Sequence, residues 1–118
     1  MQALVLEPAK KELSDAEIAR RITAGDEDAF CLLMRRNNQA LYRAARSILK
    51  DDAEAEDAVQ EAYLHAYRAM SRFRGEAKLS TWLVRIVVNE AIARSRKRSR
   101  SAEIIRLDGD MKPGDAAR

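Results

Sequence analysis

Asp51-Asp-Ala-Glu-Ala-Glu-Asp-Ala-Val-Gln-Glu61, continued by Ala62-Tyr-Leu-His-Ala-Tyr-Arg-Ala-Met70, is the stretch whose pattern decides the fold. On a helical wheel Ala55, Ala58, Val59, Ala62, Tyr63, Ala66, Tyr67 and Met70 fall on one broad side, the pattern of an amphipathic helix with a core face. Asp51 or Asp52 supplies the N-cap. The opposite side collects Glu54, Asp57, Gln60, Glu61, Leu64, His65 and Arg68. A leucine gains nothing from exposure among acids, so this face suits a protein partner. Asp57 and Glu61 stand one turn apart, a spacing that serves a metal pair, an acid/base pair or an acceptor for arginine side chains. Metal binding is poorly supported because His65 is a lone imidazole with no second His or Cys at ligand spacing. Catalysis is poorly supported too: no apolar enclosure raises a carboxylate pKa, and no nucleophile stands beside a base. Neither a cofactor nor an enzymatic role is expected.

Upstream, Ser14-Asp-Ala-Glu17 reads as a capping box that opens a short helix running to about Thr23. Gly25 supplies a left-handed residue after it, and Asp26 caps a second helix through Phe30, Leu33, Leu41, Ala45 and Ile48 to about Leu49, expected to be the longest element. Cys31 is alone, and its neighbours Phe30, Leu32 and Leu33 make a buried structural thiol the expectation, consistent with a reducing cytoplasm. Downstream, periodicity fails across Ser71-Arg-Phe-Arg-Gly-Glu-Ala-Lys78, a loop. The last helix is expected to begin near Ser80 or Thr81, to carry Trp82, Leu83, Ile86, Val87, Ala91 and Ala93 as its main apolar set, and to run into Arg94, Arg96, Lys97, Arg98 and Arg100. From Ser101 the pattern decays into a linker or disordered tail.

Composition agrees with an all-α fold, a compact bundle of about four helices with a disordered basic C-terminal extension. The chain has 118 residues, 47% of them apolar and 35% charged, with only four glycines and two prolines, which favours helices over a turn-rich β fold. A net charge of +3 identifies no partner, but its distribution does more: every charged residue from Asp51 to Glu61 is acidic, whereas the cations crowd between Arg94 and Arg100. Such a separation suits a molecule that meets a basic surface at one site and a polyanion at another. The bland alternative is two solvated helix faces. The N-terminal Met-Gln-Ala-Leu-Val-Leu-Glu-Pro is too short for a signal sequence, and no run approaches bilayer length, so a soluble chain without membrane insertion is expected.

The last helix and the loop before it carry the nucleic-acid signal. Arg85, Asn89 and Arg96 line up on one stripe of an otherwise apolar cylinder, and Asn and Arg are the side chains able to make bidentate contacts with adenine and guanine edges. The alternative is that Asn89 caps or bonds a neighbouring backbone group. Five cations exceed what a helix dipole requires. In the loop, Phe73 and then Trp82 are interleaved with Arg72, Arg74 and Lys78, a pattern suited to unstacked single-stranded bases. Trp82 by itself reads more readily as core.

Ala55-Glu-Asp-Ala-Val-Gln-Glu61, Phe73-Arg-Gly75, Ser80-Thr-Trp-Leu83, Arg85-Ile86, Asn89 and the terminal Arg/Lys run, in this order, resemble conserved region two of extracytoplasmic-function sigma factors. The resemblance implies a helical domain whose third helix docks on the coiled coil of the clamp of the largest subunit of core RNA polymerase, through Asp57, Gln60, Glu61 and, on the same face, Leu64. It also implies that the loop and last helix hold the separated non-template strand of the minus-ten promoter DNA element, with one base flipped into a pocket near the loop. Arg85, Asn89, Arg94, Arg96, Lys97 and Arg98 match that role by position, and Arg72, Phe73, Arg74, Lys78 and Trp82, read from the aromatic and cationic pattern, complete the expected DNA-binding set. An anti-sigma factor is a further partner within the resemblance. Family members often carry aromatics where this chain has Leu79 and Val84, which shifts the expected stacking onto Phe73 or Trp82. Residues 1–13 are then an N-terminal tail, 14–100 the region-two domain and 101–118 the start of an interdomain linker, with the helix-turn-helix domain absent. The competing reading is a nonspecific nucleic-acid-binding helical protein, which leaves the acidic face unexplained; a protein adaptor leaves the cations unexplained.

Overall fold

The computed structural model describes the backbone of residues 13–110 and the side chains of residues 13–105. Four α-helices follow one another: α1 (Asp15–Thr23), α2 (Glu27–Leu49), α3 (Asp52–Ala69) and α4 (Leu79–Asp110), with a 3₁₀ turn, Met70–Arg72, between the last two.

Each boundary has a local cause. The Ser14 hydroxyl accepts the Glu17 N–H at the start of α1. That helix ends with the Gly25 N–H donating to the Ile22 carbonyl and the Asp26 N–H donating to the Arg21 carbonyl, the paired bonds of a Schellman ending. The ending needs a left-handed residue, and Gly25 takes it at φ +97°. Asp26 then caps α2 through the Ala29 N–H, and Asp51 caps α3 through the Glu54 N–H. Asp52, not needed as the cap, accepts instead from Arg46 Nε at 2.6 Å and from the Tyr42 hydroxyl at 2.9 Å, tying α3 to the last turns of α2. Those two donors hold its carboxyl below the usual range, Arg46 more than Tyr42.

The start of α4 is capped from the other end of the chain. The Asp15 carboxylate, in the first turn of α1, accepts the Leu79 N–H at 2.8 Å. The helix therefore begins at Leu79, slightly ahead of the expected Ser80 or Thr81, because a distant side chain satisfies a donor that no local residue reaches. Helix α4 packs on both α2 and α3, and α1 closes over α2 and the 3₁₀ turn.

The core follows from side-chain size. Ala55, Ala58, Ala62 and Ala66 of α3 are fully buried, and these small residues let the helix sit close to the Leu33, Leu41 and Leu49 row of α2 and the Leu79, Leu83 and Val87 row of α4. Tyr63 closes this layer; its hydroxyl lies 2.8 Å from Asn38 Oδ1 and 3.2 Å from the Met34 carbonyl. Burial pushes its phenol up to about 12.

Four expectations change. The longest element is α4, at 32 residues, not α2, at 23, because its helix continues through the cations. Regular structure does not stop at Ser101 either: the backbone is helical to Asp110. Ser101–Ile105 are exposed, so no side chain of this stretch is buried in the bundle; residues 111–118 of the expected linker lie outside the described residues. Cys31 is exposed rather than buried, since it points off the face defined by Ala29 and Leu33. Tyr67 is 51% exposed rather than core. It sits at the rim, where its ring meets the Phe30 edge at a centroid distance of 5.3 Å.

Candidate nucleic-acid interface

The corner between α3 and α4 gathers the aromatic and cationic residues singled out in the sequence. After the 3₁₀ turn the Phe73 N–H donates to the Met70 carbonyl, and the chain leaves in an extended conformation. Gly75, at φ +80°, turns it back toward α4. Phe73 and Trp82 are both half-buried and meet edge to face, with centroids 5.5 Å apart and planes at 65°. Around them an open cavity of about 460 Å³ is lined by Arg72, Phe73, Arg74, Glu76, Trp82 and Arg85. Lys78 is exposed but does not line it.

Trp82 also borders a second cavity. About 440 Å³ in volume, it lies between α3 and α4 and is lined by His65, Trp82, Ile86, Asn89 and Glu90. Asn89 is exposed and faces this space. A third cavity of about 510 Å³ shares Glu90 and Ala93 with the second and reaches Arg94, Lys97 and Arg98. The three form one path along α4, aromatic at the loop and cationic toward the helix end.

The cations are not equivalent. Arg94 Nε donates to Glu90 Oε2 at 2.8 Å, an i,i+4 pair, and Arg98 reaches Glu54 at 2.6 Å. Arg96, Lys97 and Arg100 are exposed and form no ion pair among the described residues. Sequence reasoning missed Asp15, Glu54 and Glu90. Glu90 was legible as an i,i+4 partner of Arg94, whereas Asp15 and Glu54 act over 64 and 44 residues and leave no local signal.

The acidic face of α3 borders this path, since His65 lines its second cavity and Glu54 its third. Asp57, Gln60 and Leu64 are exposed, Leu64 by 49%, and Glu61 is partly covered by His65, whose Nε2 lies 3.5 Å away. Leu64 thus stands open to solvent among polar neighbours. No group of three or more His, Cys, Asp or Glu at metal-holding distance occurs among the described residues, and no helix there is long and apolar enough to cross a membrane.

Residues 33–101, more than half of the chain and the whole of this path, match the family model described as sigma-70 region 2. The chain belongs to the sigma-70 region 2 family. Among curated relatives of this sigma region 2 chain, the ECF RNA polymerase sigma factor SigM of Mycobacterium tuberculosis is 43% identical over 88 residues, covering 75% of this chain and 45% of SigM. The RNA polymerase sigma-H factor of Pseudomonas aeruginosa is 35% identical over 107 residues, covering 87% of this chain and 55% of that protein. The chain thus spans about half the length of these relatives. A solved structure, an engineered region 2 of sigma-E in complex with GTAAAA, superposes with a TM-score of 0.68 at 34% identity, over 76% of this chain and 94% of that one. The relatives place this sigma region 2 chain with the ECF group, and the superposition agrees with an all-helical bundle.

Proposed function

We propose that this sigma region 2 domain binds core RNA polymerase through the acidic face of α3 and holds the unpaired non-template strand of a minus-ten promoter element along α4, contributing to promoter opening without catalysing a reaction. The single observation that carries the reading is the path from the Phe73–Trp82 cavity to the cationic end of α4, on a fold whose sigma-E counterpart is solved with GTAAAA. A flipped base loses a few kcal/mol of stacking, and a ring beside a cavity flanked by Arg72, Arg74 and Arg85 offers both stacking and phosphate neutralisation to offset that loss. Asn89 carries a donor and an acceptor beside the second cavity and is placed to read a base edge. The free cations beyond it carry no base information and hold the backbone.

Asp57, Gln60, Glu61 and Leu64 suit a partner surface rich in arginine or lysine with an apolar contact at its centre, as the polymerase clamp coiled coil would offer. The domain then acts in the cytoplasm, where the polymerase is. The test is to load the chain onto core polymerase and measure binding of a library of minus-ten oligonucleotides, single-stranded and duplex. Polymerase-dependent binding that favours one family of single-stranded sequences is the expected result. Binding indifferent to base sequence and strandedness would replace this reading with generic phosphate binding.

A further inference from the structure

Arg98 differs from the other cations in its run. Its Nη1 donates to Glu54 Oε2 at 2.6 Å and its Nη2 donates to the Leu49 carbonyl at 2.8 Å, so both arms of the guanidinium fork are occupied. Both acceptors belong to the corner where α2 ends and α3 begins. The Leu49 carbonyl is among the last of α2, whose final carbonyls have no partner within their own helix, and a cation there also complements the negative end of the helix. Arg98 thus satisfies the end of one helix from the side of another, 49 residues along the chain.

The contact falls where α4 otherwise loses its hold. Ala91 is the last buried residue of α4, and the residues from Arg96 to Ile105 are all exposed. Seven residues at 1.5 Å rise put Arg98 about 10 Å beyond that last buried point. It adds a side-chain bond to another part of the bundle beyond the last buried residue of α4.

We propose that Arg98 is a positioning residue: it ties the basic end of α4 to the α2–α3 corner, so that Arg96, Lys97 and Arg100 face nucleic-acid phosphates in a fixed direction, and its own charge is not offered to them. The inference rests on the nucleic-acid reading above. Glu54 has a matching role, holding Arg98 in place from the edge of the acidic side of α3 that meets α4.

The sign of one substitution separates a tie from a phosphate contact. If Arg98 held phosphate, Glu54→Ala would release it, remove a negative charge and strengthen binding. If Arg98 is a tie, Glu54→Ala weakens binding despite the lost negative charge. The experiment uses the full chain and single-stranded GTAAAA, with amide hydrogen exchange over residues 94–101 and fluorescence anisotropy as readouts. Glu54→Ala and Arg98→Ala are each expected to accelerate exchange and to weaken binding by about two- to fivefold, the size of a partly exposed ion pair. The double variant should be no worse than either single one. Arg98→Lys, which keeps the charge but cannot reach both acceptors with a planar fork, should not restore slow exchange. Lys97→Ala should weaken binding with unchanged exchange. Stronger binding in Glu54→Ala, or unchanged exchange in both single variants, overturns the proposal. If exchange accelerates but the unaltered chain binds the oligonucleotide neither alone nor loaded on core polymerase, the nucleic-acid reading fails and takes the presentation role with it, while the tie stands as measured.

Discussion

Replacing Phe73 with leucine separates stacking from packing at the loop. The ring is half-buried, meets Trp82 at 5.5 Å and lines the first cavity, so leucine keeps most of the apolar filling but removes both the ring pair and the platform. Loss of the ring pair should cost about 0.5–1.5 kcal/mol of stability. Loss of one stacked base is worth about 1–3 kcal/mol, or about 5- to 150-fold in Kd. Urea unfolding and anisotropy with single-stranded GTAAAA, run in one buffer, give the two numbers side by side. A Kd within about threefold of the original, under 0.7 kcal/mol, would refute the platform. A stability loss above about 3 kcal/mol would show instead that the ring is a core element.

Asp57→Ala combined with Glu61→Ala should weaken core-polymerase binding while stability changes by less than about 0.5 kcal/mol, as expected for exposed positions; surface plasmon resonance with circular dichroism checks this, and unchanged affinity removes the docking face. Asn89→Ala should alter which minus-ten sequences are tolerated, each lost base contact being worth about 1–3 kcal/mol. Arg96→Ala with Lys97→Ala should weaken all sequences alike and flatten the salt dependence, and one oligonucleotide library at several salt concentrations reads both. Tyr63 is neutral in the fold with its phenol pushed up to about 12, above the ordinary 10.0, so the stability it contributes is whole below pH 10 and is lost as pH rises toward 12. Tyr63→Phe should therefore flatten the fall in unfolding midpoint across that window, and an unaltered slope would count against the buried phenol as its cause.

The helices were legible wherever their determinants were local. Ser14, Gly25, Asp26 and Asp51 each act within a few residues, and the alanine row of α3 repeats at helical spacing, so caps and core could be read from order alone. Failures occurred where a position is decided by what lies across the bundle. Tyr67 falls on the apolar side of the wheel but at its edge, where only Phe30 reaches it; Cys31 has apolar neighbours in sequence yet lies off the stripe they form. The site shows the same division. The loop aromatics and the cations of α4 were visible as a pattern, and the structure brings Arg72, Phe73, Arg74, Trp82 and Arg85 around one cavity. That Arg98 is engaged by Glu54 while Arg96 is not depends on the path of α4 past the α2–α3 corner, which no spacing rule contains.

The bond from Leu79 to Asp15 sets a timetable for the domain's own manufacture. Helix α1 can bury Ile18, Ala19 and Ile22 against α2 as soon as that helix has emerged, but its capping carboxylate must wait for a donor made 64 residues later, roughly 3–13 s at about 5–20 residues per second. Until then the segment bearing Phe73 is fixed at the 3₁₀ turn and free at its other end. The aromatic cavity is thus among the last parts of the fold to acquire its walls during translation, since Trp82 and Arg85 reach it from α4.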